Sequence, residues 1–173
     1  MELPGSAYLY ALATISITYA GFAALIVVFR QTTTGKLTNY DLFFVRSVLL
    51  RSFIVIVCAM LPPTLALFDL PHPTIWRIST LIAGLFQAVF VLTWPLRRRS
   101  ISDVPITKWF LTQNALILLT AIYLLSTAFD IFFKPAFGPF AVGLSIFLYL
   151  SFTAYLISLE VLLRGYSKEK RRK

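Results

Sequence analysis

The feature that most constrains this chain is a series of long apolar runs that carry few or no charges. The first run covers residues 7–29, and none of its 23 residues is charged. A helix of that length extends about 34 Å, which exceeds the roughly 30 Å hydrocarbon core of a bilayer. Charged residues make up only 13% of the chain, against about 25% in soluble domains. The sequence therefore predicts an integral membrane protein.

Five such runs follow one another along the chain. The predicted spans are about 7–29, 47–68, 74–94, 109–133 and 140–163, followed by a basic tail over 164–173. Lipid offers no partner for backbone N–H and C=O groups, so each span must pair them internally as a helix. The predicted fold class is therefore all-α: a polytopic bundle of five transmembrane helices that forms a single transmembrane domain, with no sizeable soluble domain.

The starting residue of the second span is not obvious, because two arginines lie near its start. A start at Leu42 would place Arg51 about 13 Å deep, which is expensive for a guanidinium. A start at Ser47 lets both Arg46 and Arg51 extend to the interface. The same register places Pro62 and Pro63 inside the span. Each proline removes a backbone donor, so we expect a helix break there in the form of a kink.

The distribution of basic residues predicts the orientation. With the N-terminus outside and the C-terminus inside, 14 of the 16 Lys and Arg residues lie on the cytoplasmic side, and only Arg77 and Lys134 lie outside. Cytoplasmic loops carry an excess of Lys and Arg, and an even number of spans would destroy this asymmetry. We expect a multi-pass protein of the bacterial inner (cytoplasmic) membrane.

Charge and composition also limit the expected partners. The net charge of +9 arises from clusters at the ends of spans, so it does not indicate nucleic-acid binding. The expected partners are the lipid bilayer, anionic lipid headgroups at the cytoplasmic face, and either a second copy of the chain or another membrane protein. The single cysteine, Cys58, gives neither a disulfide framework nor a thiolate metal cluster.

Groups that could perform catalysis are scarce. The carboxylates lie near the ends of the spans without pairing at helical spacing, His72 is the only histidine, and the chain has neither a Gly-rich phosphate loop nor an HExxH motif. We therefore predict no catalytic, cofactor or metal site, and we do not expect an enzyme.

Gln87 is the strongly polar side chain nearest the middle of the third span. An amide facing lipid costs several kcal/mol, so Gln87 should face another helix or a hydrated cavity. Thr80, Gly84 and Ala88 lie beside it at intervals of four, a pattern that permits close approach of helices. This favours an interhelical hydrogen bond, with a pore-lining role as the alternative.

The last two spans each carry a polar face. The candidate residues are Gln113, Thr120, Tyr123, Thr127 and Asp130 on the fourth span, and Tyr149, Thr153 and Glu160 on the fifth. If the two faces met, they would line a hydrated path. Serine and threonine hydroxyls also bond to carbonyls of their own helix, and such faces are common packing surfaces. Packing is the favoured interpretation.

Two carboxylates precede a basic residue by four positions, which is the favoured order for a helical ion pair. These local pairs are Asp130 with Lys134 and Glu160 with Arg164. An alternative candidate ion pair joins Glu160 to Arg51, and it would hold the second and fifth helices together.

Two classes of function remain. The first is a non-catalytic accessory, assembly or interaction component that acts through helix–helix contacts. The alternative is a small homo-oligomeric ion channel or permease, with a path lined by the polar faces of spans 3–5. Small residues and short loops favour the first, whereas the polar faces favour the second.

Overall fold

A computed structural model of the chain describes residues 3–34, 39–98 and 108–170, with side chains described except at 30, 33, 34, 39–41, 44, 98 and 157–170. These ranges contain six helices and no strand: α1 Ser6–Thr34, α2 Asn39–Ala66, α3 His72–Leu92, α4 Trp94–Arg98, α5 Lys108–Ala128 and α6 Phe137–Lys170. Five of them, all except α4, are long and apolar enough to cross a membrane. The predicted all-α, five-span membrane fold is confirmed.

The end of α5 differs from the prediction. The helix ends at Ala128 and not near residue 133. The Ile131 N–H donates to the Ser126 carbonyl at 2.9 Å and the Asp130 N–H to the Thr127 carbonyl at 3.1 Å, while Asp130 has φ 57°. This is the hydrogen-bond pattern of a Schellman cap, with aspartate in the left-handed position that glycine usually occupies. The cap ends the helix even though the sequence stays apolar beyond it.

α2 continues through Pro62 and Pro63 to Ala66, so the two prolines do not end the helix; the kink expected there stays a prediction. Two prolines remove donors for two carbonyls only, and the helix has just one more turn to complete. The Thr64 hydroxyl donates to the Met60 carbonyl at 2.8 Å.

Helix directions follow from a few contacts. The hydroxyls of Tyr8 and Ser145 are 2.7 Å apart, and the Tyr19 hydroxyl donates to the Ser151 carbonyl at 2.7 Å, so α1 and α6 run parallel. Arg77 at the start of α3 contacts Asp130 beyond the end of α5, so these two helices are antiparallel. α2 packs against α1, α3 and α6.

Two glycines bring α5 close to both of its neighbours. A Cβ atom at Gly84 of α3 would lie 2.9 Å from Leu125 Cγ, and one at Gly143 of α6 would lie 2.5 Å from Leu124 Cδ2. Consecutive residues of a helix point about 100° apart, so Leu124 and Leu125 contact different helices. α5 is thereby held between α3 and α6, around a core that includes Ile117, Leu124, Phe140, Leu144 and Phe147.

Candidate functional site

The structure brings two of the predicted polar residues together at the contact of α5 with α6. Gln113 is fully buried, and its Nε2 donates to the Leu150 carbonyl at 2.8 Å and to Thr153 Oγ1 at 3.3 Å. These bonds join the two helices directly. At the level of Gln113 the two polar faces are therefore in direct contact.

The other hydroxyls of the predicted faces bond mainly to their own helices. Thr120 donates to the Leu116 carbonyl at 2.8 Å and Thr127 to the Tyr123 carbonyl at 2.9 Å. Tyr149 is 67% exposed on the lipid-facing surface, whereas Tyr123 is half-buried. Tyr149 therefore takes no part in the contact between the two polar faces.

Asp130 pairs with a residue that the sequence did not suggest. Its carboxylate accepts a hydrogen bond from Arg77 of α3, and both side chains are about half exposed. We had expected Lys134 as the partner, on the assumption that both residues lie on one helix. Since α5 ends at Ala128, Asp130 and Lys134 are not one helical turn apart, and that local pair is corrected to an interhelical one.

The alternative ion pair of Arg51 with Glu160 stays a prediction. The backbone of Glu160 belongs to α6, but its side chain lies outside the described side chains, as does that of Arg164.

Gln87 is fully buried in α3, yet its expected interhelical hydrogen bond is absent from the described part of the chain. Neither Nε2 nor Oε1 has a partner there, and the hydroxyls of Ser79 and Thr80, about two turns earlier in α3, are also buried without one. A buried polar group without a partner costs about 1–3 kcal/mol. These three residues therefore form a polar interior surface whose hydrogen-bonding capacity is unused by the described chain.

A second group of polar residues lies at the end of the bundle where α2 begins. Arg51 is only 6% exposed and follows Val45, the start of the apolar segment of α2, by six residues, or about 9 Å. Within the bundle Arg51 is buried, and of the two arginines on α2 only Arg46 is exposed; that both side chains extend to the membrane interface stays a prediction.

Contact with an aromatic ring offsets part of the free-energy cost of burying Arg51. The Arg51 guanidinium carbon lies over the Phe90 ring at 5.0 Å from its centroid, and that of Arg97 lies over the same ring at 4.0 Å. Arg97 also donates to the Phe90 carbonyl. Such cation–π contacts are worth about 2 kcal/mol when desolvated, which offsets a large part of the cost of an arginine in a span, about 2.5–3.5 kcal/mol at the helix centre.

We call Arg46, Arg51 and Arg97 the basic cluster. Burial lowers the pKa of Arg97, and the nearby charge of Arg46 lowers it further. The Nε of Arg51 is buried without a hydrogen-bond partner in the described chain, and so is the neighbouring Ser52 hydroxyl. The sequence contained one signal of this cluster, namely Arg51 inside an otherwise apolar run, but the contacts with Phe90 and Arg97 require the fold.

The lipid-facing side of α1 and α6 holds a groove of about 570 Å³. Its walls are Leu12, Thr14, Ile15, Thr18, Tyr19 and Phe22 of α1, and Ser145, Leu148, Tyr149, Phe152 and Tyr155 of α6. Only 28% of the most apolar stretch of α1 is buried inside the bundle, against 44–50% of the corresponding stretches in the other four spans. The sequence analysis did not identify this surface, because nothing in the pattern shows which helix is peripheral.

The outer side of α1 also carries a row of small residues. Ala7, Ala11, Thr14, Thr18 and Gly21 are all exposed and are spaced by 4, 3, 4 and 3 positions. A Cβ atom at Gly21 would have no neighbour within 4 Å. We call this row the α1 seam. Unlike Gly84 and Gly143, Gly21 serves no contact within the described bundle.

The chain matches no protein-family model, no curated protein and no solved structure.

Proposed function

We propose that this protein is a non-catalytic interaction component of the membrane that binds a transmembrane helix of another membrane protein along α1. The observation that carries the proposal is the α1 seam, together with the apolar groove beside it.

The spacing of the seam supports a helix as the occupant. Alternating intervals of 4 and 3 average 3.5 residues, the period at which one helix keeps contact with another. Small residues at these positions let two backbones approach closely, and close packing is the main attraction between helices in lipid. A lipid acyl chain would gain no comparable advantage from the small residues of the seam, because their effect is to let two helix backbones pack closely together.

The shape of the surface favours a different protein over a second copy. In a two-fold dimer the same patch contacts itself. A groove facing its own symmetry mate would place one concave surface against another and leave a gap. A convex helix from a partner fills the groove and covers the seam.

Site-specific photo-crosslinking in intact membranes tests this proposal. A photoreactive amino acid at Thr18 samples the seam, and the same residue at Leu119 of α5, which is 61% exposed, is the matched control. We expect Thr18, but not Leu119, to give a discrete adduct through a transmembrane segment of one membrane protein. The variant Gly21→Ile should abolish this adduct, because its side chain blocks close approach.

Two outcomes would overturn the proposal. An adduct with twice the mass of the chain would replace the partner with a second copy. Lipid adducts alone at both positions would mean that the seam faces bulk lipid.

The orientation and location belong to the same proposal: N-terminus outside, in the bacterial inner membrane. The positive-inside distribution supports them. In a Cys58→Ala background, cysteines at the exposed positions Thr74 and Leu96 lie at opposite ends of α3 and its extension α4. Impermeant maleimide should label Thr74→Cys from outside and Leu96→Cys only after permeabilisation. The reverse pattern would invert the topology.

A small oligomeric channel or permease remains the second candidate, favoured by the polar interior surface of Ser79, Thr80 and Gln87. Buried polar atoms without partners are suited to contact with water or a permeating solute. Ion flux into proteoliposomes that Gln87→Leu abolishes and Tyr149→Phe leaves intact would establish this function in place of the first. An absence of flux in the wild-type protein under any gradient would reject it.

A further inference from the structure

The basic cluster contains a positive charge that the described protein does not neutralise. Arg51 is 6% exposed, and its Nε has no hydrogen-bond partner there. The carboxylates with described side chains are Asp69 and Asp130, which lie at the other end of the bundle, beyond the ends of α2 and α5. A buried cation in a span requires a partner that stabilises its charge, and the contact with Phe90 supplies only part of that stabilisation.

A second guanidinium lies against the same ring. Arg97 reaches Phe90 from α4 and is further fixed by its hydrogen bond to the Phe90 carbonyl. Arg46 adds a third positive charge from α2. Like charges near one another repel, so an anion bound at the cluster relieves the repulsion. Phe90 therefore acts as a platform that holds two guanidinium groups in place.

We propose that the basic cluster binds the phosphate group of an anionic phospholipid headgroup. A guanidinium presents parallel N–H donors that match two phosphate oxygens, and charge-assisted bonds of this kind are among the strongest hydrogen bonds in proteins. The cluster lies at one end of the spans, where lipid phosphates lie, and basic sites between transmembrane helices bind anionic headgroups. Inorganic phosphate presents the same oxygens, so the test must separate the two sources.

Native mass spectrometry of the detergent-purified full chain, titrated with phosphatidylglycerol or phosphatidylcholine, measures the binding. We expect wild-type protein to prefer phosphatidylglycerol. Arg51→Gln should weaken phosphatidylglycerol binding about tenfold or more, as for the loss of a hydrogen bond to a charged group. Lys134→Gln removes one exposed charge at the other end of the bundle and should leave binding unchanged.

A second variant distinguishes a loss of lipid binding from a loss of the folded structure. Arg97→Gln changes a half-buried residue of the short helix α4, outside the five spans, and should also weaken phosphatidylglycerol binding. Circular dichroism and size-exclusion chromatography confirm that each variant is folded.

Three results would overturn the proposal. Equal binding of the two lipids by wild-type protein would exclude a headgroup site. Displacement of phosphatidylglycerol by equimolar inorganic phosphate would assign the site to the free anion. Phosphatidylglycerol binding that appears only in Glu160→Gln would mean that this carboxylate, and not a lipid, neutralises Arg51.

Discussion

A single methyl group at Gly84 tests the close packing of α3 against α5. In Gly84→Ala, the new Cβ would lie 2.9 Å from Leu125 Cγ and 3.2 Å from the Leu125 backbone nitrogen. Cβ atoms essentially never come within 3.0 Å of a neighbour. The leucine side chain can rotate, but the backbone nitrogen cannot, so the two helices must move apart. Overpacking of this kind costs about 1–3 kcal/mol.

Gly21→Ala is the matched control, because its Cβ would meet nothing within 4 Å. Both glycines lie in helices, so each substitution gains about the same helix propensity, up to about 1 kcal/mol. The difference between the two variants therefore reports the contact with Leu125 alone. We expect Gly84→Ala to be about 1–3 kcal/mol less stable than Gly21→Ala, roughly a 5- to 140-fold difference in the unfolding equilibrium constant.

The assay is reversible unfolding of the purified protein in mixed micelles by increasing SDS, followed by circular dichroism. Wild-type protein measured in parallel gives the absolute shift of each variant. Equal stability of Gly84→Ala and Gly21→Ala would refute the reasoning, because it would mean that α3 and α5 do not approach each other at Gly84.

Three further predictions concern single contacts and use the same unfolding assay. A double-mutant cycle of Arg77→Gln and Asp130→Asn should give a coupling energy of about 0.2–1 kcal/mol, as expected for an exposed ion pair; a value of zero would remove the link between α3 and α5. Gln113→Leu should destabilise the protein by about 0.6–2 kcal/mol, because the α5–α6 hydrogen bonds are lost, and an unchanged stability would contradict them. Tyr19→Phe should cost about 0.6–1.7 kcal/mol through its lost bond to α6, whereas Tyr149→Phe, the same chemical change at an exposed position, should cost nothing measurable; equal effects would argue against the α1–α6 bond.

Much of the fold was predictable because lipid acts on each residue separately. Apolar runs long enough to cross a bilayer predicted five spans, and five helices of the described structure are long and apolar enough to cross a membrane. The tendency of hydroxyls to bond to their own helix was also anticipated, and Thr120 and Thr127 do so. The end of α5 was missed because the apolar sequence continues past Ala128, whereas the cap at Asp130 depends on local backbone conformation.

The candidate sites were less predictable because they depend on which helices are neighbours. Asp130 pairs with Arg77, which is 53 positions away, and a local rule favoured Lys134. Arg51 was recognised as a charge in an apolar run, but its position over the Phe90 ring, which it shares with Arg97, depends on the packing of α2 against α3. Gln87 was expected to bond across helices, yet the groups opposite its buried amide in the described chain offer no partner.

The sequence by itself determined the membrane class, the all-helical fold and the five spans, because the free-energy cost of a charge or an unpaired backbone group in lipid is set residue by residue. Only the tertiary structure decided which faces are used inside the bundle. Gly84 and Gly21 are alike in sequence, each a glycine among small residues in an apolar helix. Packing places Gly84 against Leu125 and leaves Gly21 on the outer surface of the described bundle, because the position of a neighbouring helix depends on contacts between segments far apart in the chain.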